Sequence, residues 1–108
     1  MSMNKGILNK KISAFSAKVY EAATRIPKGK VTTYGKLAER IGNKGAARAV
    51  GQALHNNPFA PKVPCHRIVR SDGGLGGFAS GTKKKEALLA TEGIIIRNGY
   101  IDLDRFGY

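Results

Sequence analysis

The amino-acid sequence predicts a mainly α domain, winged-helix-like, with a helix-turn-helix and a small C-terminal β-hairpin. Three observations predict it. Two short segments with helical apolar spacing are joined by the tight connection Asn43-Lys44-Gly45-Ala46 inside a basic chain, the pattern of a helix-turn-helix. Near the end, Asn98-Gly99 lies between two apolar segments, the strongest short-range hairpin signal. A chain of 108 residues, 42% hydrophobic and 24% charged, suffices for one globular core and not for two domains.

The elements follow in order. Residues 1–10 lack periodicity and read as a basic tail; residues 11–108 form the domain. Phe15, Val19, Ala22, Ala23 and Ile26 fall at helical spacing, with Ser13 as cap and Pro27 as stop. Pro27-Lys28-Gly29-Lys30 is a turn, and residues 31–33 are extended. Thr33 caps a second helix with the stripe Tyr34, Leu37, Ala38 and Ile41, which Gly42 ends. A third helix covers residues 46–54 and ends before Pro58. Residues 65–70 alternate and predict a short strand or extended segment. Residues 71–81 form a glycine-rich loop. Thr82 caps a fourth helix reaching Glu92, with Gly93 as its stop. Residues 94–96 and 100–103 then flank the Arg97-Asn98-Gly99 turn.

Nineteen Lys and Arg against seven Asp and Glu give a net charge of +12. Such a charge on so short a chain calls for a polyanionic partner. No apolar run approaches the length of a membrane span or of a signal-peptide core, so no membrane association is expected. The compartment expected is intracellular: cytoplasmic, at the nucleoid, or nuclear. One cysteine excludes an internal disulfide, and with two histidines it leaves no multi-cysteine zinc site; no metal or cofactor is expected.

Cys65 stands in Pro64-Cys65-His66-Arg67. A lone cysteine is often just a small buried hydrophobe. Here the flanking His66 and Arg67 favour the reactive thiolate, so a nucleophile is an equal alternative. His66 suits a general base, and Glu92 is the carboxylate best placed to orient it. Glu21, Glu39 and Glu86 read as ordinary exposed helix residues, and His55 as a surface or phosphate contact. Because strand neighbours face opposite sides, a bridging water between His66 and Cys65 is a reasonable arrangement. The third helix carries small residues and one long one, Arg48. That suits the minor groove better than base reading in the major groove. Lys83, Lys84 and Lys85 read as a solvated helix face or as phosphate contacts.

Together these residues resemble the O6-alkylguanine-DNA alkyltransferase family, from about Phe15 onward. The likeness rests on Pro64-Cys65-His66-Arg67, Ala46-Ala47-Arg48-Ala49-Val50-Gly51, Asn57-Pro58 and Glu92-Gly93. It implies a protein that binds duplex DNA containing O6-alkylguanine through the minor groove and flips the damaged base, since the alkylated oxygen is buried in the stack. Cys65 would take the alkyl group irreversibly, in a single turnover. His66 and Glu92 would activate the thiol. Tyr34 would help extrude the nucleotide and hydrogen-bond the leaving base, and Asn57 would brace the active-site turn. Arg48 would fill the gap in the duplex. The resemblance places Thr33, Tyr34, Asn43, Ala47, Gly51 and Ser71 with Arg48 on the DNA surface. The base pocket would comprise Cys65, Ile68, Phe78 and Ala79, with the Cys65 and Ile68 carbonyls accepting from the guanine amino group.

Phe78 and Ala79 stand where the family often has tyrosine and serine, which removes two hydroxyls. Short alkyltransferase-like relatives hold alkylguanine without repairing it and recruit other repair factors. They match this chain in length but have tryptophan at the cysteine position, and this chain has no tryptophan. Repair by a monomer is therefore the expectation, and lesion binding with DNA-repair protein partners the alternative.

Overall fold

The computed structural model describes residues 13–59, 62–75 and 82–108. Ser13 opens helix α1 (Ala14–Thr24), its hydroxyl accepting from the Ser16 N–H at 3.0 Å. After the turn at Pro27 come strand β1 (Thr32–Thr33) and helix α2 (Tyr34–Arg40). Thr33 caps α2 by accepting from the Lys36 N–H at 3.1 Å, and the chain leaves α2 at Gly42. Helix α3 (Ala47–His55) packs across α1 and α2. Of the three sequence-assigned caps, Ser13 and Thr33 perform that role, whereas Thr82 is the first residue of its helix rather than the residue before it.

A single turn of 3-10 helix, Cys65–Arg67, leads into strand β2 (Ile68–Val69). This corrects part of the expectation of a short strand or extended segment over residues 65–70: Ile68 and Val69 are strand, but residues 65–67 are a 3-10 turn. Pro64 precedes the turn, the Arg67 N–H folds back on the Pro64 carbonyl at 2.9 Å, and Ile68 and Val69 are buried in succession rather than alternately. Strand β2 pairs in parallel with β1, Thr32 opposite Ile68 and Thr33 opposite Val69.

Helix α4 (Thr82–Thr91) is followed by strands β3 (Ile96–Arg97) and β4 (Tyr100–Ile101). The hairpin is shorter than expected, with Arg97 in the strand and only Asn98-Gly99 in the turn. Both turn residues have positive φ, 54° and 81°, as a tight right-twisted hairpin demands. Leu103, expected in the second strand, instead begins a short helix α5 (Leu103–Phe106). Asp102 diverts the chain by capping α5, accepting from the Asp104 N–H at 3.0 Å.

Two apolar cores result. The first lies among the first three helices and includes Val19, Ala23, Ile26, Leu37, Val50, Leu54 and Val63. The second includes Val31, Leu75, Leu89, Ile94, Ile101 and Phe106. Strand β2 divides them: Ile68 enters the first and its neighbour Val69 the second, both fully buried. The 3-10 turn bearing Cys65 is therefore anchored where the two cores meet. Among the described residues no helix is long and apolar enough to cross a membrane.

Candidate functional site

Three supports hold the Cys65 turn. The first lies upstream, where Asn57 spans the loop: its amide donates to the Val63 carbonyl at 2.9 Å and its carbonyl accepts from the Phe59 N–H at 2.8 Å. The Cys65 N–H reaches the same Val63 carbonyl at 2.9 Å.

The second support is an ion cluster behind the turn. Glu92 occupies the C-terminal cap of α4. Gly93, with φ of 87°, reverses the chain there: its N–H meets the Ala90 carbonyl and the Ile94 N–H meets the Leu89 carbonyl. A carboxylate at a helix C-terminus opposes the helix dipole and needs cationic company. Arg67 supplies it, with Nη2 and Nε donating to Glu92 at 2.7 and 2.9 Å. His66 Nε2 lies 2.9 Å from Glu92 Oε2, the same oxygen that Arg67 Nη2 bonds. Arg67 also donates to the Ile26 carbonyl at 2.9 Å, tying the cluster to the end of α1. Burial pushes the Glu92 carboxyl up, but the bonds from Arg67, His66 and the Gly29 N–H, with the Arg67 charge, outweigh it and hold the group at about 2. Glu92 is thus a carboxylate at neutral pH.

The third support is Lys85, and this overturns the reading of Lys83, Lys84 and Lys85 as one solvated or phosphate-facing run. Lys83 and Lys84 are exposed, whereas Lys85 is only 5% exposed. Its Nζ donates to the Ile68 carbonyl at 2.6 Å. Burial lowers its ammonium to about 8, partly offset by the nearby Cys65 sulfur. A signal for this was present: Lys85, Leu89 and Glu92 sit at i, i+4 and i+7, one face of a helix.

Tyr34 begins α2 half-buried, its ring 3.8 Å from where a side chain on Gly51 would start. Burial, then proximity to Cys65, raises its hydroxyl above the usual tyrosine range, so it remains a donor at neutral pH. Tyr20 is similarly raised, by burial first, and its hydroxyl donates to the Ala53 carbonyl at 2.7 Å.

The structure therefore gathers Cys65, His66, Glu92, Tyr34 and Asn57 around one turn. Arg48 and Asn43 are exposed at the start of α3 and in the α2–α3 connection, and Ala47 is half-buried. Thr33 is buried with its hydroxyl engaged as a cap. Ser71 is exposed and separate from the α2–α3 pair in sequence. The Cys65 and Ile68 carbonyls already accept one bond each, from the Ile68 N–H and Lys85, leaving a second lone pair on each oxygen. Glu39 and Glu86 are exposed as expected. Glu21 pairs with Arg25 on the α1 surface at 3.3 Å. Phe78, Ala79 and the basic tail lie outside the described residues. Among the described residues no three metal-ligating side chains cluster.

A half-exposed thiol on a clamped turn, backed by a histidine–carboxylate pair and flanked by a tyrosine donor, defines a cysteine-centred site beside a helix pair with an exposed arginine. Comparison with known proteins gives it a family. Residues 14–94 match the family model described as 6-O-methylguanine DNA methyltransferase, DNA binding domain. The methylated-DNA–protein-cysteine methyltransferase of Mycolicibacterium paratuberculosis is 48% identical over 74% of this chain and 48% of its own length. That of Shigella flexneri is 45% identical over 76% of this chain and 48% of its own. Among solved structures, S. pombe Atl1 in complex with damaged DNA containing O6-carboxymethylguanine superposes with a TM-score of 0.81. It is 33% identical, covering 87% of this chain and 94% of that one. Mycobacterium tuberculosis OGT in complex with DNA superposes with a TM-score of 0.71 at 45% identity, covering 74% of this chain and 50% of that one. The chain belongs to the 6-O-methylguanine DNA methyltransferase family, as its DNA-binding domain. It spans about half the length of the methyltransferase relatives it matches.

Proposed function

We propose that this domain repairs O6-alkylguanine in duplex DNA by moving the alkyl group onto Cys65. The observation that carries the reading is the clamped turn, with Cys65 followed by His66 and His66 held 2.9 Å from the Glu92 carboxylate. In this account the thiol proton passes to His66, directly or through a water, and Glu92 stabilises the resulting imidazolium. The Cys65 sulfur attacks the alkyl carbon; the S–C bond forms as the C–O6 bond breaks. The electron pair goes to the departing guanine, to which Tyr34 donates a hydrogen bond. Lys85 places positive charge beside the sulfur and fixes the Ile68 carbonyl that would accept from the guanine amino group. No tetrahedral intermediate forms, so no oxyanion hole is required. The thioether product has no route to hydrolysis here, and each molecule acts once.

The DNA side of the proposal is a winged-helix-like surface. Helix α3 enters the minor groove and Arg48 takes the place of the flipped nucleotide. The small residues of α3 and the net charge of +12 support this. Thr33, Tyr34, Asn43, Ala47, Gly51 and Ser71 complete the DNA surface, and Phe78 and Ala79 the base pocket. The domain would act as a monomer, since a single damaged base has no two-fold symmetry.

A second reading is favoured by one observation, the near-complete mutual coverage with Atl1. In it the domain holds alkylguanine and recruits other repair proteins without chemistry. Cys65→Ala separates the two. The repair reading requires that this variant lose transfer entirely and keep its affinity for a duplex carrying O6-methylguanine. A parent protein that binds the lesion but transfers nothing, and so matches the variant in both assays, supports the second.

A further inference from the structure

The β3–β4 hairpin carries a surface that the proposed repair reaction does not use. Side chains alternate along it. Ile96 and Ile101 turn toward the second core, while Ile95, Arg97, Tyr100 and Asp102 fall on the other face. Ile95 and Tyr100, 41% and 51% exposed, are the large exposed hydrophobic residues among those described. Both line one groove of about 380 Å³, which is also bordered by the edges of Ile101 and Phe106 and by Arg97 and Arg105. Asp102, also at the groove, is occupied in capping α5. Among the described residues neither arginine has an ion-pair partner; Arg105 lies over the Phe106 ring at 5.0 Å.

The backbone is open on the same side. Strand β4 is covered on its outer edge, where the Ile101 N–H donates to the Gly73 carbonyl at 2.9 Å. Ile96 is opposite Ile101, so its own N–H and carbonyl point away from the hairpin in the same fashion. No described backbone group bonds Ile96 there. An exposed edge strand beside an apolar groove with two unpaired arginines is the combination that accepts an added peptide strand.

We infer that this hairpin is a docking site for an acidic, extended segment of another protein. The segment would add to the outer edge of β3, set an apolar side chain between Ile95 and Tyr100, and bring carboxylates to Arg97 and Arg105. The exposed Ile95 and the apolar border of the groove argue against duplex DNA as the occupant, because phosphates would gain nothing from them. The site lies on the second core, away from α3, and does not depend on Cys65.

The test uses the synthetic peptide Glu-Glu-Leu-Phe-Asp-Glu-Glu and a control with Ser-Ser in place of Leu-Phe. Amide NMR shifts on titration are expected at Ile95, Ile96, Arg97, Tyr100 and Arg105. The control should bind at least tenfold more weakly. The double variant Arg97→Gln/Arg105→Gln should lose at least tenfold in peptide affinity while keeping its melting temperature and losing less than threefold in affinity for duplex DNA. Three results would overturn the inference: equal binding of the control, shifts concentrated on α2 and α3, or no shift at millimolar peptide. A loss of DNA affinity as large as the loss of peptide affinity in a folded double variant would also overturn it, by making the two arginines phosphate contacts.

Discussion

Replacing Glu92 by glutamine keeps the shape of the side chain and removes its charge, so it mimics a permanently protonated Glu92. In the fold the carboxyl is held at about 2 against an ordinary 4.5. At about 1.4 kcal/mol per unit, that interval corresponds to about 3 kcal/mol of stability at neutral pH. The sign follows from the depressed value. The stabilisation is complete above pH 4.5 and is lost as pH falls through about 2. Glu92→Gln should therefore be less stable than the parent by about 3 kcal/mol at pH 7, or about 12–24 °C in melting temperature for a domain of this size. Below pH 2 the two proteins should converge. Urea unfolding followed by far-ultraviolet circular dichroism, repeated from pH 7 to pH 2, measures this directly. Parallel stability curves over that range, or a difference below about 0.5 kcal/mol at pH 7, would refute the assignment of Glu92 as the charged anchor of the Cys65 turn.

Two further perturbations probe the site from other sides. Lys85→Met removes an ammonium that burial has lowered from 10.5 to about 8. Because the folded value lies below the unfolded one, the parent should gain stability relative to Lys85→Met as pH rises from 8 toward 10.5, and transfer by the variant should slow at least tenfold at pH 7; a flat stability difference, or unimpaired transfer, counts against it. Arg48→Ala removes an exposed side chain at the second position of α3. Transfer from duplex DNA should slow about tenfold with transfer from single-stranded oligonucleotide unchanged; equal slowing on both substrates would mean that Arg48 does not act in flipping.

The helical frame was legible because its signals are local. Ser13 and Thr33 are caps whose partners lie three residues on, Gly93 reverses the chain at the end of α4, and Asn98-Gly99 specifies a hairpin turn by its backbone alone. What the sequence concealed depends on distant partners. The Cys65 segment reads as extended, but its backbone is set by Pro64 and by clamps from Asn57 and Lys85, 8 and 20 positions away. Lys85 looked like one of three equivalent lysines, since the triplet by itself does not reveal which member meets the Ile68 carbonyl. Glu92 was identifiable as the partner of His66 by elimination among few carboxylates. Its stronger bond to Arg67 was not, because nothing local distinguishes a structural arginine from a surface one. Leu103 fitted a strand pattern until the Asp102 cap turned it into a helix.

The most direct test of the account is the intact mass of the protein after incubation with a duplex carrying one O6-methylguanine. The account predicts a gain of one methylene per molecule, complete at one equivalent of DNA, carried by the peptide that contains Cys65 and absent from Cys65→Ala. An unchanged mass, with selective binding of the damaged duplex by the same sample, would contradict it and leave a domain that recognises the lesion without removing it.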